Sequence, residues 1–296
     1  MRPRSAIVTL LALSAAVAIY LRPLTVVFAA RDAYLFATGM RGHSVQVNGH
    51  RIHYFAGGEG PPLVMVHGVA SRAADAALLY PALMRHRRVY ALDLLGYGNS
   101  ERPRDATYTV AMQAEVVRGF MDALHLRDAD LLGVSLGGWI ALKVAAEHPV
   151  RVKKLVLVSS AGLAFPTTLR ETTFSPNDLG ELRASLSLQT DQASRIPTFV
   201  LRDFLRRSKQ KAWVVRRSMA AALRADDLLD RKLQHATMPV LLIWGTRDRI
   251  VPFTVAASMQ REMPHARLVA LEGCGHLAVI ECRDQALPAI RAFLLR

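Results

Sequence analysis

The chain has 296 residues, 51% of them hydrophobic and 21% charged, which is enough to bury a full core in one large domain and too apolar for a disordered or low-complexity chain. Lys and Arg number 38 against 24 Asp and Glu, giving a formal net charge of +14. No zinc pattern, helix-turn-helix or aromatic-basic RNA motif accompanies that excess, so nucleic acid is excluded as the expected partner, and the charge is read as Arg-rich composition suited to an anionic lipid surface.

The N-terminus, Met1-Arg-Pro-Arg4, leads into an uncharged stretch from Ser5 to Leu21 dominated by Leu, Ala, Val and Ile, which Arg22-Pro23 ends. Its length is near the lower limit of about 17–25 residues for a spanning helix. Arg2, Arg4 and the terminal amine outweigh Arg22, which sets the expected orientation with the N-terminus in the cytoplasm and the remainder outside. Residues 1–42 are therefore expected to be a signal-anchor and linker, holding the catalytic domain at a membrane outside the cytoplasm. The alternative is a cleaved signal peptide, with Ala16-Val17-Ala18 or Val27-Phe28-Ala29 at the cleavage point and a secreted or periplasmic product.

From residue 43 onward, His43 to Val47 and Arg51 to Ala56 flank Asn48-Gly49, a two-residue hairpin signal. Pro61 to Val66 reads as a buried strand running into His67-Gly68, and Arg88 to Asp93 as another, followed by the turn Gly96-Tyr97-Gly98. Tyr108 to Leu124 reads as a helix. Asp130 to Val134 is an apolar strand ending at Ser135, and the run from Leu136 to His148 is helical and stops at Pro149. Further strands are expected at Lys154–Ser159, Pro239–Gly245 and Arg267–Glu272. Apolar strands alternating with helices indicate an α/β domain over residues 43–296 with a mostly parallel, doubly wound sheet, extended antiparallel at one edge by the hairpin. One interval, about 163–236, is too long for a crossover and is expected to form an inserted helical cap over the ligand-binding edge of the sheet. Cys274 and Cys282 are too few for a disulfide framework and are expected as ordinary buried thiols, with an optional bridge outside the cytoplasm as the lesser alternative.

The chemistry centres on Gly133-Val-Ser135-Leu-Gly137-Gly138, a serine between glycines where a strand meets a helix. That pattern is a nucleophile elbow, which lifts the hydroxyl out of the sheet and helix ladders. A serine needs a base and the base an orienting acid, later in the chain if the order is Ser, Asp, His. Asp248, just past the strand ending at Gly245, and His276, just past the last strand, fill those places at the same sheet edge as Ser135. His265 precedes its strand and falls at the opposite edge, and Asp93 is assigned to holding the Gly96-Tyr97-Gly98 turn. The backbone N–H groups of Leu136 and Val69 are the expected oxyanion donors, with a structural role for His67.

These pieces, His67-Gly68, Asp93 with Gly96-Tyr97-Gly98-Asn99-Ser100, the Ser135 elbow, Trp244-Gly245-Thr-Arg-Asp248 and Gly275-His276, together resemble the α/β-hydrolase fold family over residues 43–296. The resemblance implies a Ser135–His276–Asp248 triad, an oxyanion hole at Val69 and Leu136, and neither cofactor nor metal. It disfavours haloalkane dehalogenases and epoxide hydrolases, which use aspartate at the elbow, and the His-Gly-Gly-Gly branch, because Val69 follows Gly68. The hydrophobic N-terminus is similar to that of membrane-associated monoacylglycerol-lipase-like hydrolases. The expected activity is a serine esterase or lipase acting on lipophilic acyl esters through an acyl-enzyme. The alternatives are a carbon–carbon hydrolase of ring-cleavage products or an acyltransferase with the same triad, and, outside catalysis, a binding module on the same fold.

Overall fold

The computed structural model describes residues 16–17 and 20–295. The uncharged stretch before Arg22 lies mostly outside the described residues. Among those residues no helix is long and apolar enough to cross a membrane.

A helix, α1 (Pro23–Ala37), comes first, with Pro23 at its first turn, where its missing N–H costs nothing. The hairpin follows as β1 (Arg41–Val47) and β2 (His50–Gly57). Asn48 and Gly49 take φ of 50° and 83°, the left-handed pair that a two-residue turn between twisted strands requires. Next come β3 (Pro62–Val66), the short α2 (Tyr80–Leu83), β4 (Arg88–Leu92) and α3 (Val110–Ala123). The last begins two residues later than the sequence pattern suggests, because Thr109 caps it by accepting from Met112 N–H at 3.1 Å. Then follow β5 (Ala129–Val134), α4 (Leu136–Glu147) and β6 (Val152–Val158).

Between β6 and β7 (Val240–Gly245) lie three helices: α5 (Leu179–Gln189), α6 (Thr198–Lys209) and α7 (Ala212–Leu223). The chain closes with α8 (Phe253–Glu262), β8 (Arg267–Leu271), α9 (Ala278–Glu281) and α10 (Arg283–Leu295).

The eight strands form one sheet in the order β1-β2-β4-β3-β5-β6-β7-β8. Only β1 with β2 and β2 with β4 are antiparallel, and the other neighbours are parallel. Strand periodicity divides the core into two layers. Leu131, Leu155, Leu157, Leu242 and Trp244 face one side with Phe120, Trp139 and Ile140; Leu132, Val156, Val158, Leu241 and Ile243 face the other with Leu35, Tyr80 and Ile290. Because the central parallel strands β3, β5 and β7 are buried along nearly their whole length, the polar chemistry is confined to the loops at the C-terminal ends of the strands.

The inserted helical segment is tied to the rest of the domain through polar contacts. Trp139 Nε1 donates to Asp227 O at 2.9 Å, Tyr97 Oη to Ser218 Oγ at 2.8 Å, and Leu229 N–H to Gly162 O at 2.9 Å. Trp213 of α7 packs edge-on against Tyr108 and is flanked by Arg104 and Arg217.

One expectation needs correcting. Cys274 and Cys282 form a disulfide with Cα atoms 6.3 Å apart. The turn after β8 folds back into α9, which brings two positions eight residues apart within bridging range.

Candidate active site

Ser135 sits between β5 and α4 with φ 56° and ψ −120°, outside the regions open to most side chains. Two close approaches hold it there. A Cβ on Gly133 would lie 2.3 Å from the carbonyl oxygen of Gly137, and one on Gly137 would lie 2.3 Å from that of Val66, so only glycine lets strand, turn and helix pack this tightly. Ser135 N–H donates to Val158 O at 2.9 Å, pinning the turn to β6.

The sequence-predicted residues converge. His276 Nε2 lies 2.9 Å from Ser135 Oγ, and His276 Nδ1 lies 2.8 Å from Asp248 Oδ2. A carboxylate only accepts, so Nδ1 carries the proton and Nε2 is left with a lone pair facing the hydroxyl. The second oxygen of Asp248, Oδ1, accepts from the N–H groups of Ile250 and Val251, each at 2.9 Å. All three residues are shielded: Ser135 is 9% exposed, Asp248 7% and His276 4%. In such a site the hydrogen-bonded chain works in a low dielectric, where its orientation costs little at the moment of reaction.

The loop bearing His276 is fastened at several points. The disulfide closes it, Gly275 N–H donates to Glu281 Oε2 at 3.1 Å, and Leu277 N–H reaches Gln189 O on the cap at 3.4 Å. Glu281 and Gln189 were not singled out from the sequence. A lone Glu in a short helix and a Gln ending another carry no pattern that marks them.

On the other side of Ser135 runs the loop after β3. A side chain at Gly68 would stand 3.2 Å from Ser135 Cβ. The carbonyl of Gly68 accepts from His67 Nδ1 at 2.8 Å and, across a tight turn with Ala70 at φ 57°, from Ser71 N–H at 3.4 Å. Leu94 N–H donates to His67 Nε2 at 3.0 Å, so the His67 tautomer is fixed with its proton on Nδ1. Burial holds the His67 pKa below the ordinary imidazole value, although the Asp93 carboxylate pulls it upward. His67 is thus a neutral structural group, as expected from the sequence. Among the described residues neither Val69 N–H nor Leu136 N–H has a protein acceptor, and Leu136 N–H opens the first turn of α4.

Asp93 holds more than its turn. Its carboxylate lies 2.9 Å from His53 Nδ1 and accepts from Asn99 N–H at 2.9 Å and Ala73 N–H at 2.8 Å. Burial alone would raise this carboxyl, but the His53 hydrogen bond, the nearby His67 ring and the two backbone donors outweigh it and leave the pKa below the usual value. His265 lies exposed before β8, at the far edge of the sheet, as the sequence placed it. Among the described residues no group of His, Cys, Asp and Glu is arranged to hold a metal ion.

Comparison with known proteins agrees with this fold. A family model described as alpha/beta hydrolase fold matches residues 61–281. The chain is 31% identical to the 2-hydroxymuconate semialdehyde hydrolase of Pseudomonas putida, over 86% of this chain and 94% of that one. Among solved structures, a membrane phospholipase A described as a bacterial virulence factor superposes with a TM-score of 0.84 at 28% identity, covering 99% of this chain and 98% of that one. A meta-cleavage product hydrolase from Pseudomonas fluorescens IP01 superposes at 0.77 and 26% identity, covering 86% and 97%. With a family model matched over most of its length and a relative 31% identical over 86% of it, the chain is a hydrolase that belongs to the alpha/beta hydrolase fold family.

Proposed function

We propose that this chain is a serine hydrolase of carboxylic esters with apolar acyl chains, working at a membrane surface outside the cytoplasm. Ser135 Oγ attacks the ester carbonyl while His276 Nε2 takes the hydroxyl proton. The oxyanion rests on Val69 and Leu136 N–H, and collapse breaks the bond to the leaving alkoxide, which His276 protonates. Water then repeats the sequence on the acyl-enzyme and releases the acid. Asp248 keeps the imidazole in the working tautomer and stabilises its charged form.

The observation that carries the lipid-ester reading is the extent of the phospholipase A match. It spans 99% of this chain, against 86% for the meta-cleavage product hydrolase, and so takes in the N-terminal region. Two features support the placement. Tyr20 and Leu21 before α1 and Val26 and Val27 in its first turns are exposed, and exposed apolar groups of this kind suit a lipid interface. The Cys274–Cys282 bridge fits an oxidising compartment.

A second reading is favoured by a specific observation: the identity of 31% to a 2-hydroxymuconate semialdehyde hydrolase, which points to carbon–carbon cleavage of a ring-fission product by the same serine. One experiment separates the two. The full chain is assayed against p-nitrophenyl esters from acetyl to palmitoyl, against phospholipid with fatty acid as the readout, and against 2-hydroxymuconate semialdehyde, each beside Ser135→Ala. Turnover that rises with acyl length and vanishes in the variant supports ester hydrolysis. Serine-dependent loss of the semialdehyde with a flat ester profile would replace it with the second reading.

A further inference from the structure

Helix α1 does not stand apart from the domain. Leu24 N–H donates to Asp203 Oδ2 of cap helix α6 at 3.0 Å, and Tyr20 stacks on Phe199 of the same helix with ring centroids 5.3 Å apart. At this junction is an open cavity of about 250 Å³ lined by Leu21, Arg22, Arg202, Asp203 and Arg206. Three arginines and one aspartate thus line it.

That carboxylate is already saturated. Asp203 has a fully buried side chain and accepts from Leu24 N–H, from Arg206 Nε at 3.1 Å and Nη2 at 2.5 Å, and from Arg207 Nε at 3.5 Å. It has little left to offer Arg22 or Arg202, which are exposed and form no ion pair among the described residues. Two arginines without an ion pair line one cavity, and a guanidinium meets a tetrahedral oxyanion with paired hydrogen bonds. Leu21, which lines the cavity, is 60% exposed, as is Tyr20 before it in the chain, and Val27 of α1 is 55% exposed. Aliphatic and aromatic groups beside a cluster of arginines match the boundary between acyl chains and headgroups.

We propose that the cavity formed by Arg22, Arg202 and Arg206 binds the phosphate of a phospholipid headgroup, docking the cap against the bilayer next to α1. The site is separate from Ser135. The proposal rests on the membrane-surface reading for the source of the phosphate, but not on ester hydrolysis. Its consequence is that lipid would hold the cap through α6 and, through the Leu24–Asp203 contact, hold α1 against the cap.

The test uses the full chain in dodecyl maltoside micelles, which contain no phosphate, titrated calorimetrically with three probes. These are a short-chain diether phosphatidylglycerol, which an esterase cannot cleave, the matching diether glycerol without phosphate, and inorganic phosphate. The phosphatidylglycerol should bind more tightly than either of the others. Arg22→Gln and Arg202→Gln should each weaken it about fivefold, the double variant about 25-fold, while Arg261→Gln on the distant α8 leaves it unchanged. Arg22→Lys with Arg202→Lys, which keeps the charge and loses the fork, should recover only part of the loss, which separates charge and bidentate geometry from misfolding.

Equal affinity for the two diether lipids would overturn the proposal, as would a double variant that binds like the parent. Inorganic phosphate binding as tightly as the lipid would overturn the lipid source. Hydrolysis of a soluble p-nitrophenyl ester should be the same in parent and double variant. If neither cleaves it, the ester reading fails while the binding result stands.

Discussion

The ring of His67 and the carbonyl of Gly68, joined at 2.8 Å through Nδ1, fix the peptide plane that links Gly68 to Val69. In a trans peptide the carbonyl and the following N–H point in opposite directions, so holding the Gly68 oxygen on one side aims the Val69 N–H to the other. The ring is in turn held by Leu94 N–H at the end of β4. Oxyanion donors act through their fixed direction, and in the proposed mechanism the direction of the Val69 N–H is set by a neutral histidine. Replacing His67 with Leu should lower kcat about 100-fold with little change in KM, because the misdirected donor contacts only the developing oxyanion. His67→Asn, which keeps an N–H near Nδ1, should recover much of the loss. A change confined to KM would show that the ring acts on substrate binding instead.

Asp248 offers a cleaner separation of catalysis from stability. In Asp248→Asn one side-chain oxygen can still accept from Ile250 and Val251 N–H, so the loop should hold and the thermal midpoint should change little. The amide facing His276 Nδ1 would favour the wrong imidazole tautomer, and kcat should fall about 10⁴-fold. Steady-state kinetics beside a thermal melt checks both halves.

The Cys274–Cys282 bridge encloses His276 in a short covalent ring. Cys282→Ser should cost about 2–3 kcal/mol of stability by the loop-entropy argument. Because the loop also carries His276, the proposed base, kcat should drop in the same variant. Urea denaturation and ester turnover, each with and without dithiothreitol, test this. Reductant should shift the parent toward the variant and leave the variant unaffected.

Two buried groups predict acid lability with the same sign. Burial holds the folded-state pKa of His67 below the ordinary imidazole value, so as pH falls past that value the unfolded chain takes up a proton first and stability is lost. Asp93 is lowered from 3.8, so its contribution is present above that value and is lost as pH falls through the folded-state pKa. Unfolding free energy should therefore decline from pH 7 toward pH 5 and again below pH 4. In His67→Gln the upper part of the decline should flatten, and an unchanged slope there would count against the assignment.

Much of the site could be read from the chain. Ser135 between glycines, Asp248 after one strand and His276 after the next are local signals, because each depends on a strand ending at a known place and the C-terminal ends of parallel strands share one edge. The hairpin at Asn48-Gly49 and the stop at Pro149 are local for the same reason: one or two residues set the allowed backbone angles.

What only the tertiary structure decided was whatever depends on two distant segments meeting. The proximity of Cys274 and Cys282 follows from how β8 turns into α9, and spacing alone left it open. Glu281 on Gly275, Gln189 on Leu277 and Asp203 on Leu24 join segments whose distances the sequence does not encode in any period. The arginine cavity is the extreme case, since Arg22 and Arg202 are unremarkable in sequence and share a wall only because α1 packs on the cap. Periodicity and turn chemistry are short-range properties of a chain, whereas charge clusters and cross-links are properties of its packing.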